Sequence, residues 1–404
     1  MNYIGIDIAK YDHVVGVRSD DGAPHGKARS FSNDADGFKT LMDRFQELEV
    51  TAESSIVAME STGHYWMALY VFLIDHGYRV AVVNPILTDA FRKADTVRKT
   101  KTDQIDAFLI AEYARFKQLA PSEISLEDTD GLKQLTRYRS HLVKERTMLK
   151  NKATAVVDRL FPEFAVLFSD LYLATPKALL ERYATPEAMA TADIRSLTKT
   201  VEKASHGRCG RAKAEQIKAL AKSSIGITFA SEALAFEVKH MVALIGHLDE
   251  QIKKLDGEIA RILECSTGGV LETIPGIGPV NAAVIAAEIG DANRFSDPKK
   301  LIAFAGIDAS KTQSGTFEGT EEHMSKRGSS YLRYALLLSA DKARQCDPYF
   351  GDYYDSMRAR GKHHYVAVSG VARKLAGTIL AVMKEQRPYE SRPSIQSLKD
   401  ANKG

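Results

Sequence analysis

Asp103 and Asp106 stand three residues apart at the start of an apolar-periodic stretch (Ile105, Phe108, Leu109, Ala111, Tyr113), so on a helix both carboxylates project from one side. Two like charges on one face repel, and a cation or solvent must compensate them. Two further acids fall at strand ends. Tyr3 to Ala9 alternates in polarity around Asp7, and Ser55 to Met59 is a short apolar run closed by Glu60. Four carboxylates supplied by two strands and a following helix can gather around one or two Mg²⁺ ions. Hard divalent cations take oxygen ligands, and Mg²⁺ keeps positions for water and substrate phosphate. Arg92, Lys93, Arg98, Lys99 and Lys101 directly precede the pair and suit a loop that touches phosphates. The plainer alternative is a helix start in which Asp103 is the N-cap or a first-turn acid and Asp106 is solvated.

The elements that would carry these acids are strands near 3–9, 13–18, 55–59 and 79–83 and helices near 35–48, 64–76 and 103–117. A hairpin followed by βα units suits an RNase H-like fold, a mixed sheet flanked by helices. Trp66 reads as helix-packing core, with base stacking as the alternative. From about 129 to 265 the pattern is helical. Leu132, Leu135, Tyr138, Leu142, Leu149, Ala153, Val156 and Leu160 form one amphipathic series, and Leu244, Leu248, Ile252, Leu255, Ile259 and Ile262 form another. Between them lies a compact insertion, 171–227, with the loop from His206 to Arg211. Two readings stand level: a hairpin folding back on its own chain, or a coiled-coil arm that pairs subunits while the loop touches RNA or DNA.

Beyond 268, Leu271 to Gly290 reads as an apolar lead, a Pro-Gly-Ile-Gly-Pro turn and a helix. Gly276 and Gly278 would let backbone N–H groups approach a phosphate, as in a helix-hairpin-helix; a purely structural turn competes with this. Then come a polar segment with Gln313, Ser314 and Gly315, and Ser325-Lys326-Arg327-Gly328 leading to a basic helix with Arg333. Composition alone assigns no nucleophile there. His64, His323, His363 and His364 read as surface or core histidines.

With 404 residues, 44% hydrophobic and 26% charged, the chain has the composition of a soluble globular protein of two or three units. No apolar run reaches the roughly 18–20 residues needed to span a bilayer, so a cytoplasmic location is expected. Cys209, Cys265 and Cys346 form no CxxC, which argues against a disulfide framework or a zinc site. The net charge of +3 conceals segregation. Residues 1–60 hold six basic and eleven acidic side chains, whereas Lys133–Arg159 and Arg195–Lys222 each hold eight basic and two acidic. Such local runs favour a polyanion partner over merely solvated helix faces.

Asp7 in IGIDIAK, Glu60 in AMESTGHYW, and Asp103 with Asp106 in KTKTDQIDA resemble the DEDD motif of insertion-sequence transposases related to Piv-type DNA invertases, a family of bridge-RNA-guided recombinases. IPGIGP, the QSG segment and SKRG followed by Leu332-Arg333 resemble the transposase domain of the same family. The resemblance implies an α/β plus α architecture: a RuvC-like DEDD domain over 1–128, a coiled-coil helical region with its insertion over 129–265, and a mainly helical transposase domain over 266–404. It implies Mg²⁺ on Asp7, Glu60, Asp103 and Asp106. The nucleophilic serine aligns best with Ser314, with Ser325 in reserve. Nucleic-acid contacts are expected at Arg98, Lys99, Lys101, Gly276, Gly278, Lys326, Arg327 and Arg333. The implied partners are a bridge-type noncoding RNA, target and donor DNA, and further copies of the chain, as dimers assembling to a tetramer. Three rivals differ in chemistry: a RuvC-like nuclease using water, an actin-like sugar kinase lacking suitably placed phosphate loops, and a non-catalytic nucleic-acid scaffold.

Overall fold

Short β-branched runs at the N-terminus build the sheet. β1 (Asn2–Asp7) pairs antiparallel with β2 (Asp12–Arg18), and β2 with β3 (Arg29–Ser32). α1 (Ala35–Glu47) starts at Asp34, whose carboxylate accepts the Gly37 N–H at 2.8 Å, an N-cap bond. Then follow β4 (Ser55–Glu60), α2 (Trp66–Asp75), β5 (Val80–Val83), α3 (Pro85–Asp95) and α4 (Asp103–Lys117). The computed structural model describes residues 1–95, 102–122, 128–308, 313–314, 317–318 and 323–392. It divides into two units, Met1–Ile124 and Ser125–Gly404.

In the first unit the strand order is β3-β2-β1-β4-β5, with β1, β4 and β5 parallel. Strand alternation separates two apolar faces. Ile4, Ile6, Val57 and Met59 pack with Leu41 and Phe45 of α1 and with Leu69 and Leu73 of α2. Tyr3, Ile56, Ala58, Ala81 and Val83 pack with Ile110, Tyr113 and Ala114 of α4. Trp66 is partly buried against the first of these clusters, edge-on to Tyr70 at 5.8 Å, a packing position.

α4 can lie close on the sheet because two glycines face each other beneath it. Gly5 and Gly16 are register partners, and a Cβ on Gly16 would meet the Phe108 ring at 3.0 Å. β3 and α3 have no counterpart in the elements expected from the sequence. β3 buries a single side chain, Phe31. α3 turns Thr88, Phe91 and Arg92 inward and leaves Ile86 and Leu87 exposed, so its pattern runs against ordinary amphipathicity.

In the second unit α5 (Asp128–Leu160) leads through four short helices, α6 (Ala174–Tyr183), α7 (Pro186–Thr191), α8 (Ile194–Ala204) and α9 (Arg211–Lys222), to α10 (Ser231–Glu264). Arg139 pairs with Asp256, and Arg146 with Asp249 at 2.8 Å: one number rises as the other falls, so α5 and α10 are antiparallel. The two amphipathic series thus form a hairpin within one chain. The insertion closes its far end, where Val157, Leu160 and Val242 share a core with Leu179, Met189, Leu197 and Ile217.

The near end continues into α11 (Pro279–Ile289), α12 (Pro298–Ala305), the strand pair β6 (Gln313–Ser314) and β7 (Phe317–Glu318), α13 (Ser330–Cys346), α14 (Pro348–Ala359) and α15 (His364–Glu385). Leu132, Ile259 and Leu263 join Ile285, Leu336, Leu375 and Ile379 in one core, so the boundary expected near 265 falls inside a continuous unit. Among the described residues α15 is long and apolar enough to cross a membrane by length and composition, which differs from the expectation above; 67% of its apolar window is buried in this core.

Candidate active site

Parallel pairing of β1 with β4 runs to Ile6 opposite Met59, and one step further Asp7 and Glu60 end the two strands side by side. Neighbouring strands are about 4.8 Å apart. By alternation both acids belong to the sheet face that α4 covers. α4 runs against β1 in direction, since Tyr3 packs with Ile110, Tyr113 and Ala114 while Gly5 faces Ala107 to Ala111. Its first turn, with Asp103 and Asp106, is therefore the part nearest the strand ends. The helix N-terminus favours negative charge there.

The plainer reading of this turn holds for Asp103, an exposed first-turn acid, and fails for Asp106. Thr102, not Asp103, is the N-cap, accepting the Ile105 N–H at 3.3 Å. Asp106 is not solvated: it is 3% exposed, while Asp103 is exposed. α3 supplies the partners. Thr88 donates its hydroxyl to Glu60 Oε1 at 2.5 Å, and Arg92 Nη2 stands 3.0 Å from Asp106 Oδ1. Arg92 and Lys93 accordingly belong to a helix rather than to a phosphate-binding loop, with Lys93 paired to Asp89 at 2.7 Å. Arg98, Lys99 and Lys101 lie outside the described residues.

Among the described residues no three acidic, histidine or cysteine side chains stand together as a ready-made metal cluster. The donor chemistry nonetheless fits a hard divalent cation. Asp7 and Glu60 offer oxygen ligands at adjoining strand ends, and Mg²⁺ is commonly held by one or two carboxylates, with water and substrate phosphate completing the shell.

In the second unit the Pro-Gly-Ile-Gly-Pro turn follows a 3-10 segment, Thr267–Thr273, and leads into α11. Gly276 has φ +91° and lies against the backbone of α13, where a Cβ would meet Ala343 N at 2.4 Å, so close packing there requires glycine. Gly278 caps α11, is exposed, and has open space around it. Ser314 pairs with Phe317 in the β6–β7 ladder, so the backbone at the expected nucleophile is a strand rather than an unpaired loop. Ser325 donates its hydroxyl to Asp308, and its N–H donates to the Asp308 carbonyl at 2.9 Å. Lys326 and Arg327 are exposed, while Arg333 donates to the Ala305 carbonyl at 3.0 Å and so caps α12.

Residues 4–162 match a DEDD family of IS110 described as "Transposase", and residues 268–355 match the "Transposase IS116/IS110/IS902 family". An insertion element IS110 protein of 43.6 kDa from Streptomyces coelicolor is 30% identical over 299 residues, 73% of each chain. The chain belongs to the IS110/IS116 transposase family. An insertion element IS116 protein from Streptomyces clavuligerus is 26% identical over 97% of both chains. The pilin gene-inverting protein of Moraxella bovis is 25% identical over 96% of this chain and 98% of its own. Family membership makes this chain a transposase, an enzyme of DNA recombination.

Sequence reasoning missed three polar groups of this transposase. Thr88 lies four residues before Arg92, a helical spacing that would have placed both on one face. Asp308, the partner of Ser325, carried no local signal. Glu288 sits in an alanine-rich helix and is 4% exposed. Burial would raise its carboxyl, but hydrogen bonds from Arg137 and Ser329, with the Arg137 charge, hold it below the ordinary range. Arg137 is bidentate, Nε to Oε1 at 2.7 Å and Nη2 to Oε2 at 3.1 Å, and the Ser329 hydroxyl donates at 2.7 Å. Ser329 is also the N-cap of α13, so this network joins α5, α11 and α13 directly after the Ser325–Gly328 loop. Among the histidines, His64 and His323 are exposed, His363 caps α15, and His364 Nδ1 bonds the Tyr354 hydroxyl at 2.8 Å.

Proposed function

We propose that this transposase breaks and rejoins DNA strands through a serine–phosphate intermediate formed at Ser314. Asp7, Glu60 and Asp106 would hold Mg²⁺, with Asp103 at the mouth of the site. The observation that carries the reading is the meeting of Asp7 and Glu60 at adjoining strand ends, nearest the first turn of α4. The burial of Asp106 on that turn, a carboxylate withdrawn from solvent beside the strand ends, supports the reading. The strand order with its antiparallel β1–β2 hairpin supports an RNase H-like, RuvC-type assignment for the first unit.

The serine oxygen forms a bond to a DNA phosphorus as the bond from that phosphorus to the 3′-oxygen breaks. The hydroxyl proton leaves the serine, and the departing 3′-oxygen takes up a proton. Attack by the 3′-hydroxyl of another strand reverses the bonding and frees the serine, so the number of phosphoester bonds is conserved and no ATP is needed. Bound Mg²⁺ supplies charge stabilisation for the phosphate and its leaving oxygen. Ser314 is preferred to Ser325 by the family resemblance, and Ser325, whose hydroxyl donates to Asp308, stands in reserve. By family resemblance the serine reaches the carboxylates of another copy, in dimers that pair as a tetramer on two DNAs.

Sequence choice is assigned to a bridge-type noncoding RNA whose loops pair with target and donor DNA, the protein holding backbone and shape. Arg195, Lys199, Lys203, Arg208 and Lys222, exposed on the insertion, supply a surface for such a polyanion. Part of the α5 run is engaged elsewhere: Arg137, Arg139 and Arg146 pair with Glu288, Asp256 and Asp249. DNA and RNA as partners place the reaction in the cytoplasm.

The test is recombination with RNA co-purified from cells and a denaturing gel for protein–DNA adducts. Ser314→Ala and Asp7→Asn are each expected to abolish the adduct. Mg²⁺-dependent nicking that survives Ser314→Ala would replace this reading by a nuclease that uses water.

A further inference from the structure

The inward face of α3 reaches both acids of the site from one helix. Thr88 and Arg92 lie one turn apart, and Phe91 between them is anchored on α4, with its ring 5.3 Å from Tyr113 and 5.6 Å from Phe116. Thr88 is fully buried and holds Glu60; Arg92, with its side chain 21% exposed, faces Asp106, whose side chain is 5% exposed. A buried carboxylate needs a countercharge, and the Arg92 guanidinium is one that stands beside it.

Two arginine–carboxylate pairs with buried acids, among the described residues, differ in their hold. Arg137 grips Glu288 with two parallel hydrogen bonds, the arrangement of a permanent strut. Arg92 sets its Nη2 3.0 Å from Asp106 Oδ1, while its buried Nε has no hydrogen-bond partner among the described residues. A guanidinium whose Nε donates to nothing can be exchanged at lower cost than one that grips through its Nε as well.

We infer that Arg92 is a stand-in for the cation, a positioning residue that neutralises Asp106 in the ion-free transposase and must swing away before Asp106 can act as a ligand. Thr88 holds the Glu60 carboxylate in place during that exchange. This inference rests on the reading of Asp7, Glu60 and Asp106 as cation ligands. A divalent ion and a guanidinium repel each other and compete for the same oxygen, Asp106 Oδ1. The affinity for the ion is therefore reduced by the fraction of molecules in which Arg92 holds that oxygen.

The experiment titrates the full chain, free of nucleic acid, with Mn²⁺ alone and follows free Mn²⁺ by its electron paramagnetic resonance. Arg92→Gln is expected to bind Mn²⁺ about tenfold tighter than the parent. It is also expected to melt at a lower temperature without the ion and to gain more from Mn²⁺ than the parent does. A merely structural arginine would act in the opposite sense, since loosening α3 would weaken binding. Unchanged or weaker affinity in Arg92→Gln, with binding that still depends on Asp7, overturns the inference and leaves the cation reading standing. Binding indifferent to Asp7→Asn removes the cation reading and this inference with it. Should Arg92→Gln not fold, Arg92→Lys carries the same test. A shorter, more strongly hydrated ammonium holds Asp106 less well and is expected to bind Mn²⁺ about threefold tighter, unchanged affinity again overturning the proposal.

Discussion

A Cβ atom on Gly5 would stand 2.1 Å from the carbonyl oxygen of Ala107 and 2.4 Å from the N–H nitrogen of Ala111, so the first strand and α4 touch backbone to backbone. Both contacts are main chain and cannot rotate away. Gly5→Ala is expected to lift α4 and to lower the stability of the first unit by at least about 1–3 kcal/mol, the usual cost of overpacking. Urea unfolding measures it. The same displacement draws the first turn of α4 away from Asp7 and Glu60, so Mn²⁺ affinity should fall together with stability. A Gly5→Ala protein with parental stability would show that the close approach is not needed.

The buried Glu288 makes the second unit sensitive to acid. Its carboxyl is held below the ordinary glutamate value of 4.5, so the stabilisation is complete above that value and is lost as the pH falls through the lower folded value. The urea midpoint of the parent should drop as the pH falls below 4.5, and more steeply than that of Glu288→Gln. At neutral pH, Glu288→Ala should cost about 2–3 kcal/mol, at the low end for a broken ion pair because Arg137 remains partly in solvent.

The two serines should part company in a covalent-trapping assay. Ser314→Ala is expected to give no adduct with DNA. Ser325→Ala should keep the adduct, with some loss of stability from the broken bond to Asp308 and a change of about 1 kcal/mol in the thermal or urea transition. Adduct lost in Ser325→Ala and kept in Ser314→Ala would exchange the two assignments.

Binding to nucleic acid should weaken steeply with salt. If six to ten phosphates are neutralised, affinity should fall about 10³-fold or more between 50 and 200 mM salt. Lys326→Ala and Arg327→Ala, at exposed positions, should each lower the logarithmic slope by about one without altering which sequences are joined. Arg333→Ala should act differently, by destabilising the end of α12 that it caps.

The strands around Asp7 and Glu60, the helix opening at Asp103, and the two long amphipathic series could be read from the sequence because each rests on a local period of two or of 3.6 residues. The family could be read too, since its motifs are short and contiguous. What lay beyond local pattern was decided by packing. α3 was hidden because its inward face is largely polar, Thr88 and Arg92 turned toward two acids distant in sequence. That the two long helices lie antiparallel on one another emerged only where Arg139 and Arg146 met Asp256 and Asp249 within one chain. Gly276 carries a packing demand that no local pattern shows, since it makes room for the backbone of α13. Sequence alone determined which acids, serines and helices the chain would contain, because composition and periodicity are properties of neighbours along the chain. Tertiary structure alone decided which charge each buried acid faces, because a carboxylate removed from water takes the partner that folding brings to it.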